Sequence, residues 1–222
     1  MLSRWTAAAI DAAPEPTLLR LIIRWRRTSP SIIRVALVES TESLMGRTTA
    51  LLFSLLALLC GPALAAMSLT SADVAPGEAI PTMHIYSHCG GANMSPQLSW
   101  SNAPSAAKSL VLTMIDVDVK PSQWSHWILV DLPADTTSIA RGATSLPGRT
   151  RSIVTNFGDT GYAGPCPPKG TGVHHYQFTI WALPTASVSF AADEKATDVF
   201  AYLSQRALDS ATLTAFVQAP PR

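Results

Sequence analysis

The sequence predicts a mainly β fold, an antiparallel sandwich or barrel with one peripheral helix near the C-terminus. Two observations carry that expectation. From Met67 onward, short apolar runs rich in Val, Ile, Thr, Phe and Trp alternate with turns built on Pro and Gly. Helical spacing is credible in one place, where Ala196, Val199, Phe200, Leu203 and Ala207 share a face behind Asp193 and Glu194, whose negative charge suits a helix start. This order of elements argues against repeated βαβ units.

Taken along the chain, the expected strands are 80–87, 98–100, 110–115, 127–132, 153–157, 176–183 and 213–218, followed in type but not in order by the helix at 196–207. Each strand is bounded by turn residues, and neither an internal repeat nor a low-complexity linker interrupts them.

The first 65 residues read as something other than this domain. Residues 45–65 open with Met45 and Arg47, continue through the apolar run Ala50–Leu59 and reach Ala63-Leu64-Ala65, the order of a secretory signal peptide. The run is shorter than the roughly 20 residues a bilayer requires. Translation is therefore expected to start at Met45, with residues 1–44 a non-native upstream extension; the competing reading is a basic amphipathic arm. The domain then spans 66–222 and is expected in the periplasm or secreted. From Ala66 onward nine Lys and Arg stand against eleven Asp and Glu, a formal charge of −2, so no nucleic-acid surface is implied. Two cysteines remain, Cys89 and Cys166, as either a disulfide or two separately buried thiols.

Side chains two apart on a strand share a face. Three such pairs fall where a strand meets a loop: Asp116 with Asp118, Trp124 with His126, and His174 with Tyr176. If the three ends converge they form a small pocket of carboxylate, imidazole and phenol with an aromatic wall. His175, one residue out of step, faces away. Ahead of His174 runs GPCPPKGTG, whose Pro165, Pro167 and Pro168 fix φ and donate no N–H. Such a loop is stiff enough to wall a pocket, and the N–H groups of its glycines are free to face an anion.

Other chemistries fit less well. His84, His88, His126 and His174 show no familiar metal-ligand spacing, and neither a G-x-S-x-G elbow nor a Gly-rich nucleotide loop is present. No metal and no cofactor are expected.

NMSPQLSW at 93–100, DVD followed by WSHW at 116–127, and GPCPPKGTGVHHY at 164–176 together resemble the phosphatidylethanolamine-binding protein family, also called Raf kinase inhibitor protein-like, and its bacterial branch in particular. The resemblance covers the chain from Met67 onward. It implies a Greek-key β-sandwich with an anion-binding pocket formed by Asp116, Asp118, Trp124, His126, Pro167, Pro168, His174 and Tyr176. Two departures stand out. Val117 and Val119 occupy positions where the family prefers proline and alanine, which suggests a less rigid loop. His175 replaces a common arginine, which suggests a looser salt bridge outside the pocket.

The expected function is non-catalytic binding of a small phosphate or phospholipid-headgroup anion. Because the Asp116 carboxylate repels a lone dianion, a ligand that also carries a positive group suits the pocket, and a phosphoethanolamine-like zwitterion is one expected form. Two alternatives remain: an interaction protein that inhibits a protease or kinase pathway through an unknown protein partner, and a hydrolase or lyase using His126 or His174 as general base.

Overall fold

The computed structural model describes residues 65–222. The expectations for residues 1–44 and for the leader at 45–65 lie outside the described residues, Ala65 excepted. Among the described residues eight strands form two antiparallel sheets. A three-stranded sheet pairs β1 (Ser68–Thr70), β2 (Leu98–Ser101) and β5 (Ser138–Ile139) in that order. A five-stranded sheet runs β6 (Arg151–Ser152), β4 (Trp124–Pro133), β3 (Ser109–Asp116), β7 (Val173–Leu183), β8 (Asp209–Gln218). The result is an antiparallel β-sandwich and not a closed barrel.

The pleat sorts the core. Leu110, Leu112 and Met114 of β3, Trp127 and Leu129 of β4 and Tyr176, Phe178 and Ile180 of β7 face Leu69, Leu98, Trp100 and Ile139 of the smaller sheet. The intervening residues Val111, Ile128 and Val130 face the other way and are covered by Val199 and Leu203 of α1 (Ala196–Arg206), the one α-helix among the described residues. Both faces of β3 are thus buried along its length, which is why it reads as a continuous apolar run instead of an alternating one.

Two expected strands do not form. One isolated bridge, Ala79 to Phe216, precedes the segment 80–87, whose Ile80 N–H donates to the Phe216 carbonyl before the chain coils through two 3-10 turns at Thr82–His84 and Ser87–Cys89. Pro81 contributes no N–H to a ladder, and its carbonyl accepts instead from His84 N–H at 2.9 Å, closing the first turn. β6 ends at Ser152, and in the segment 153–157 two backbone bonds to β4 continue from it, Ile153 N–H to the Ile128 carbonyl at 3.0 Å and Asn156 N–H to the Ser125 carbonyl at 3.3 Å. Thr155 then accepts from Phe157 N–H with its hydroxyl at 3.2 Å, an arrangement that bends the chain away from the sheet.

Candidate functional site

Register brings the three strand ends together. Asp116, the last residue of β3, pairs across the sheet with Trp124 on one side and Tyr176 on the other, so the three occupy one rung. His126 lies two residues along β4 from Trp124, and its ring meets that of Tyr176 edge-on with centroids 5.1 Å apart. A cavity of about 240 Å³ opens over this rung, lined by Asp116, Val119, Trp124, His126, Phe157, Cys166, Pro167, Pro168 and Tyr176. Tyr176, His126 and Asp116 are 0%, 1% and 3% exposed, whereas Trp124 is 37% exposed and marks the rim.

The proline loop forms one wall and is held from behind. Gly164 packs so tightly on the segment 84–86 that a Cβ there would strike the His84 carbonyl oxygen. Its N–H donates to Asn93 Oδ1 at 2.7 Å, and Tyr86 N–H donates to the Pro165 carbonyl at 3.0 Å. A disulfide joins Cys166 in this wall to Cys89 in the second 3-10 turn, with Cα atoms 5.7 Å apart across 77 positions. Closing so long a loop stabilises by about 4 kcal/mol in the chain-entropy model. Replacing both cysteines by serine is therefore expected to lower the denaturant midpoint clearly, and unchanged unfolding curves would show that the backbone bonds alone hold the wall.

The glycine amides are less available than the sequence suggested. Gly164 N–H is taken by Asn93, and Gly170 N–H donates to the Pro220 carbonyl at 2.8 Å. Gly172, the third glycine of the loop, does not line the cavity, nor do the other two.

Proton counting defines those side chains. His126 Nδ1 lies 2.8 Å from the Ala163 carbonyl, which can only accept, so Nδ1 carries the proton and Nε2 is a lone pair. Burial pushes the His126 imidazole down to about 4, so it stays neutral in this tautomer near pH 7. Its Nε2 is buried without a partner, and so is the Tyr176 hydroxyl. Burial first, then the charge of the nearby Asp116 carboxylate and a weak approach of the hydroxyl to it, raise that phenol well above its ordinary value, and it keeps its proton; the approach to Asp116 falls short of hydrogen-bond geometry.

His174 is the opposite case, because both its nitrogens are engaged. The Thr171 hydroxyl has one proton, and it goes to the Pro168 carbonyl at 2.7 Å. His174 Nε2, 2.8 Å from Thr171 Oγ1, must then be the donor. A proton must also sit between His174 Nδ1 and Asp116 Oδ2, which are 2.6 Å apart. Two protons on the imidazole side and a carboxylate opposite leave the pair with no net charge. With His174 Nδ1 2.6 Å from its Oδ2, Asp116 is not an isolated charge at the cavity.

Comparison with known proteins agrees with this architecture. The family model described as phosphatidylethanolamine-binding protein matches residues 70–218. The chain belongs to the phosphatidylethanolamine-binding protein family. Within that family it is 36% identical over 158 residues to UPF0098 protein YbcL of Escherichia coli (strain K12), covering 68% of this chain and 86% of that protein. It is 36% identical over 156 residues to UPF0098 protein YbhB of the same organism, covering 67% of this chain and 98% of the relative. The crystal structure of E. coli YbcL, described as a new member of the mammalian PEBP family, superposes with a TM-score of 0.66 at 34% identity, over 71% of this chain and all of that one.

Of the eight residues expected at this family member's pocket, six line the cavity: Asp116, Trp124, His126, Pro167, Pro168 and Tyr176. His174 lies behind Asp116 and acts on the cavity only through it. Asp118 turns outward, because β3 ends at Asp116 and strand alternation stops there. Its carboxylate accepts from His175 N–H at 2.6 Å and contacts His175 Nδ1 at 2.8 Å, while its own N–H donates to Asp116 Oδ1 at 2.9 Å. Partial burial works to raise the Asp118 carboxyl, but the His175 contacts outweigh it and hold it low. His175 thus fastens the loop carrying Asp118, with its ring beside the carboxylate where the missing arginine was expected to leave a looser salt bridge. Phe157 was not anticipated; its ring contacts those of Trp124, His126 and Tyr86 at 5.9, 5.0 and 5.2 Å and forms the remaining aromatic wall. Among the described residues no group of three or more His, Cys, Asp or Glu is placed to hold a metal ion.

Proposed function

We propose that the protein binds a small phosphate-type oxyanion, free or as a lipid headgroup, in the Asp116–His126–Tyr176 cavity, and that it does so without turnover in the periplasm or outside the cell. The observation that carries this reading is the pair of unpartnered buried atoms, His126 Nε2 and Tyr176 Oη, on residues lining one cavity. A buried polar group without a partner costs about 1–3 kcal/mol. Two such groups at one cavity suit a site completed by a polar ligand.

Binding without chemistry is supported by the same proton inventory. His174 has no free lone pair for general-base work, and a neutral His126 pushed down to about 4 is a weak base. Cys166 is tied in the disulfide, so it offers no thiolate. Among the described residues no helix is long and apolar enough to cross a membrane.

The test is Tyr176→Phe, which removes the hydroxyl and keeps the ring. Calorimetric titration with inorganic phosphate should show affinity lower by at least about tenfold, as expected for a hydrogen bond to a charged group. The unliganded variant should be as stable as the parent or slightly more so, since an unpaired buried hydroxyl has been deleted. Unchanged phosphate affinity would remove Tyr176 from the site and the proposal with it.

A further inference from the structure

The cavity has an unusual polarity for an anion site, and its proton inventory constrains the ligand. His126 Nε2 presents a lone pair, because the Ala163 carbonyl claims the ring proton at Nδ1. Asp116 presents carboxylate oxygens whose charge is balanced by His174. Tyr176 Oη supplies the only side-chain proton donor among the lining residues that is buried without a protein partner. At the buried end of the cavity acceptors therefore outnumber donors, the other donor side chain, the Trp124 indole, standing at the exposed rim, whereas a fully deprotonated phosphoryl group consists of acceptors alone.

We infer that the cavity selects a phosphoryl monoanion that still carries its P–OH proton, with that proton donated to His126 Nε2 and an unprotonated oxygen accepting from Tyr176 Oη. This deepens the oxyanion-binding reading and rests on it. The dianion and the donor-free diester each leave an oxygen facing the His126 lone pair, an unpaired contact in a buried setting.

The surroundings of His126 keep this arrangement in place. From β3 it is faced by Asp116, and from β7 by His174 and Tyr176. The loop beyond β6 contributes Phe157 and the Ala163 carbonyl, while its Tyr162 turns away to donate to the His84 carbonyl at 2.8 Å. Asp116 favours and His174 disfavours a proton on His126, and burial outweighs both in keeping the ring neutral. The proton in the contact accordingly comes from the ligand.

Titration of the purified protein with phenyl phosphate and with methyl phenyl phosphate between pH 5 and pH 8 separates the possibilities. The two probes share an aromatic ring and a phosphoryl group, and only the first can carry P–OH. Phenyl phosphate should bind at pH 5 at least about tenfold more tightly than the diester, the scale of one charge-assisted hydrogen bond. Its affinity should then fall by about tenfold per pH unit above its second ionisation near pH 6, while that of the diester stays flat. Affinity of the diester rising toward acid as steeply as that of the monoester would mean that His126 takes its proton from solvent, and would overturn the inference. Equal affinities at pH 5, or a monoester affinity independent of pH, would overturn it as well, with oxyanion binding left standing. Binding of neither probe, nor of inorganic phosphate, would remove both readings.

Discussion

Replacing Asp116 by alanine is expected to lower the free energy of unfolding by about 3–5 kcal/mol, the range for breaking a buried charge pair on one side. Asp116 is 3% exposed, and its two oxygens meet His174 Nδ1 at 2.6 Å and Asp118 N–H at 2.9 Å. Alanine leaves the ring nitrogen and the amide without partners. Asparagine should behave quite differently. Its carbonyl oxygen can accept from Asp118 N–H while its amide donates to an unprotonated His174 Nδ1, and His174 Nε2 still donates to Thr171. Asp116→Asn should therefore stay within about 1 kcal/mol of the parent near pH 7, the net worth of one ordinary hydrogen bond. Urea unfolding of both variants measures this. An asparagine variant as unstable as the alanine one would show that the proton is not shared between Asp116 and His174 as the geometry requires.

The second large effect is a loss of stability with acid that traces to one imidazole. His126 is pushed down by burial from an ordinary 6.5 to about 4. Below pH 6.5 the unfolded chain takes up a proton that the folded chain refuses, so stability falls as pH falls from about 6.5 to about 4 and levels off below that. At about 1.4 kcal/mol for each pH unit of that interval, the full loss is on the order of 3 kcal/mol. Asp73, held low chiefly by its hydrogen bond from Arg141, adds a loss in the same direction but only within the carboxylate range below it. The difference between the parent and His126→Phe at pH 7, 6 and 5 therefore isolates this histidine. His126→Phe should flatten the profile across that interval, and a slope preserved in the variant would assign the acid sensitivity to another group.

Part of this site is readable from the chain and part is not, and the division follows the range of the forces involved. Strand period is local, so the pairing of Trp124 with His126 and of His174 with Tyr176 on shared faces follows from spacing alone. The same rule misplaces Asp118, because the period holds only while the strand lasts and β3 stops at Asp116. The stiffness of the loop that contains Pro167 and Pro168 is likewise local, fixed by ring closure at each proline. Its two strand-like neighbours at 80–87 and 153–157 carry the right composition and still form no strand: Pro81 and the Thr155 hydroxyl redirect backbone bonds that composition does not register.

The sequence by itself thus determined the β-sandwich, its late helix, the family and most of the residues at the cavity, because these depend on periodicity and on ordered motifs. Tertiary structure alone decided that Asp116, Trp124 and Tyr176 share a rung, that Phe157 closes the wall, and that Cys89 meets Cys166. It also decided where the protons reside. The His126 tautomer is set by a carbonyl 37 positions away and the Asp116 charge by a histidine 58 positions away, contacts that exist only once the strands are in register.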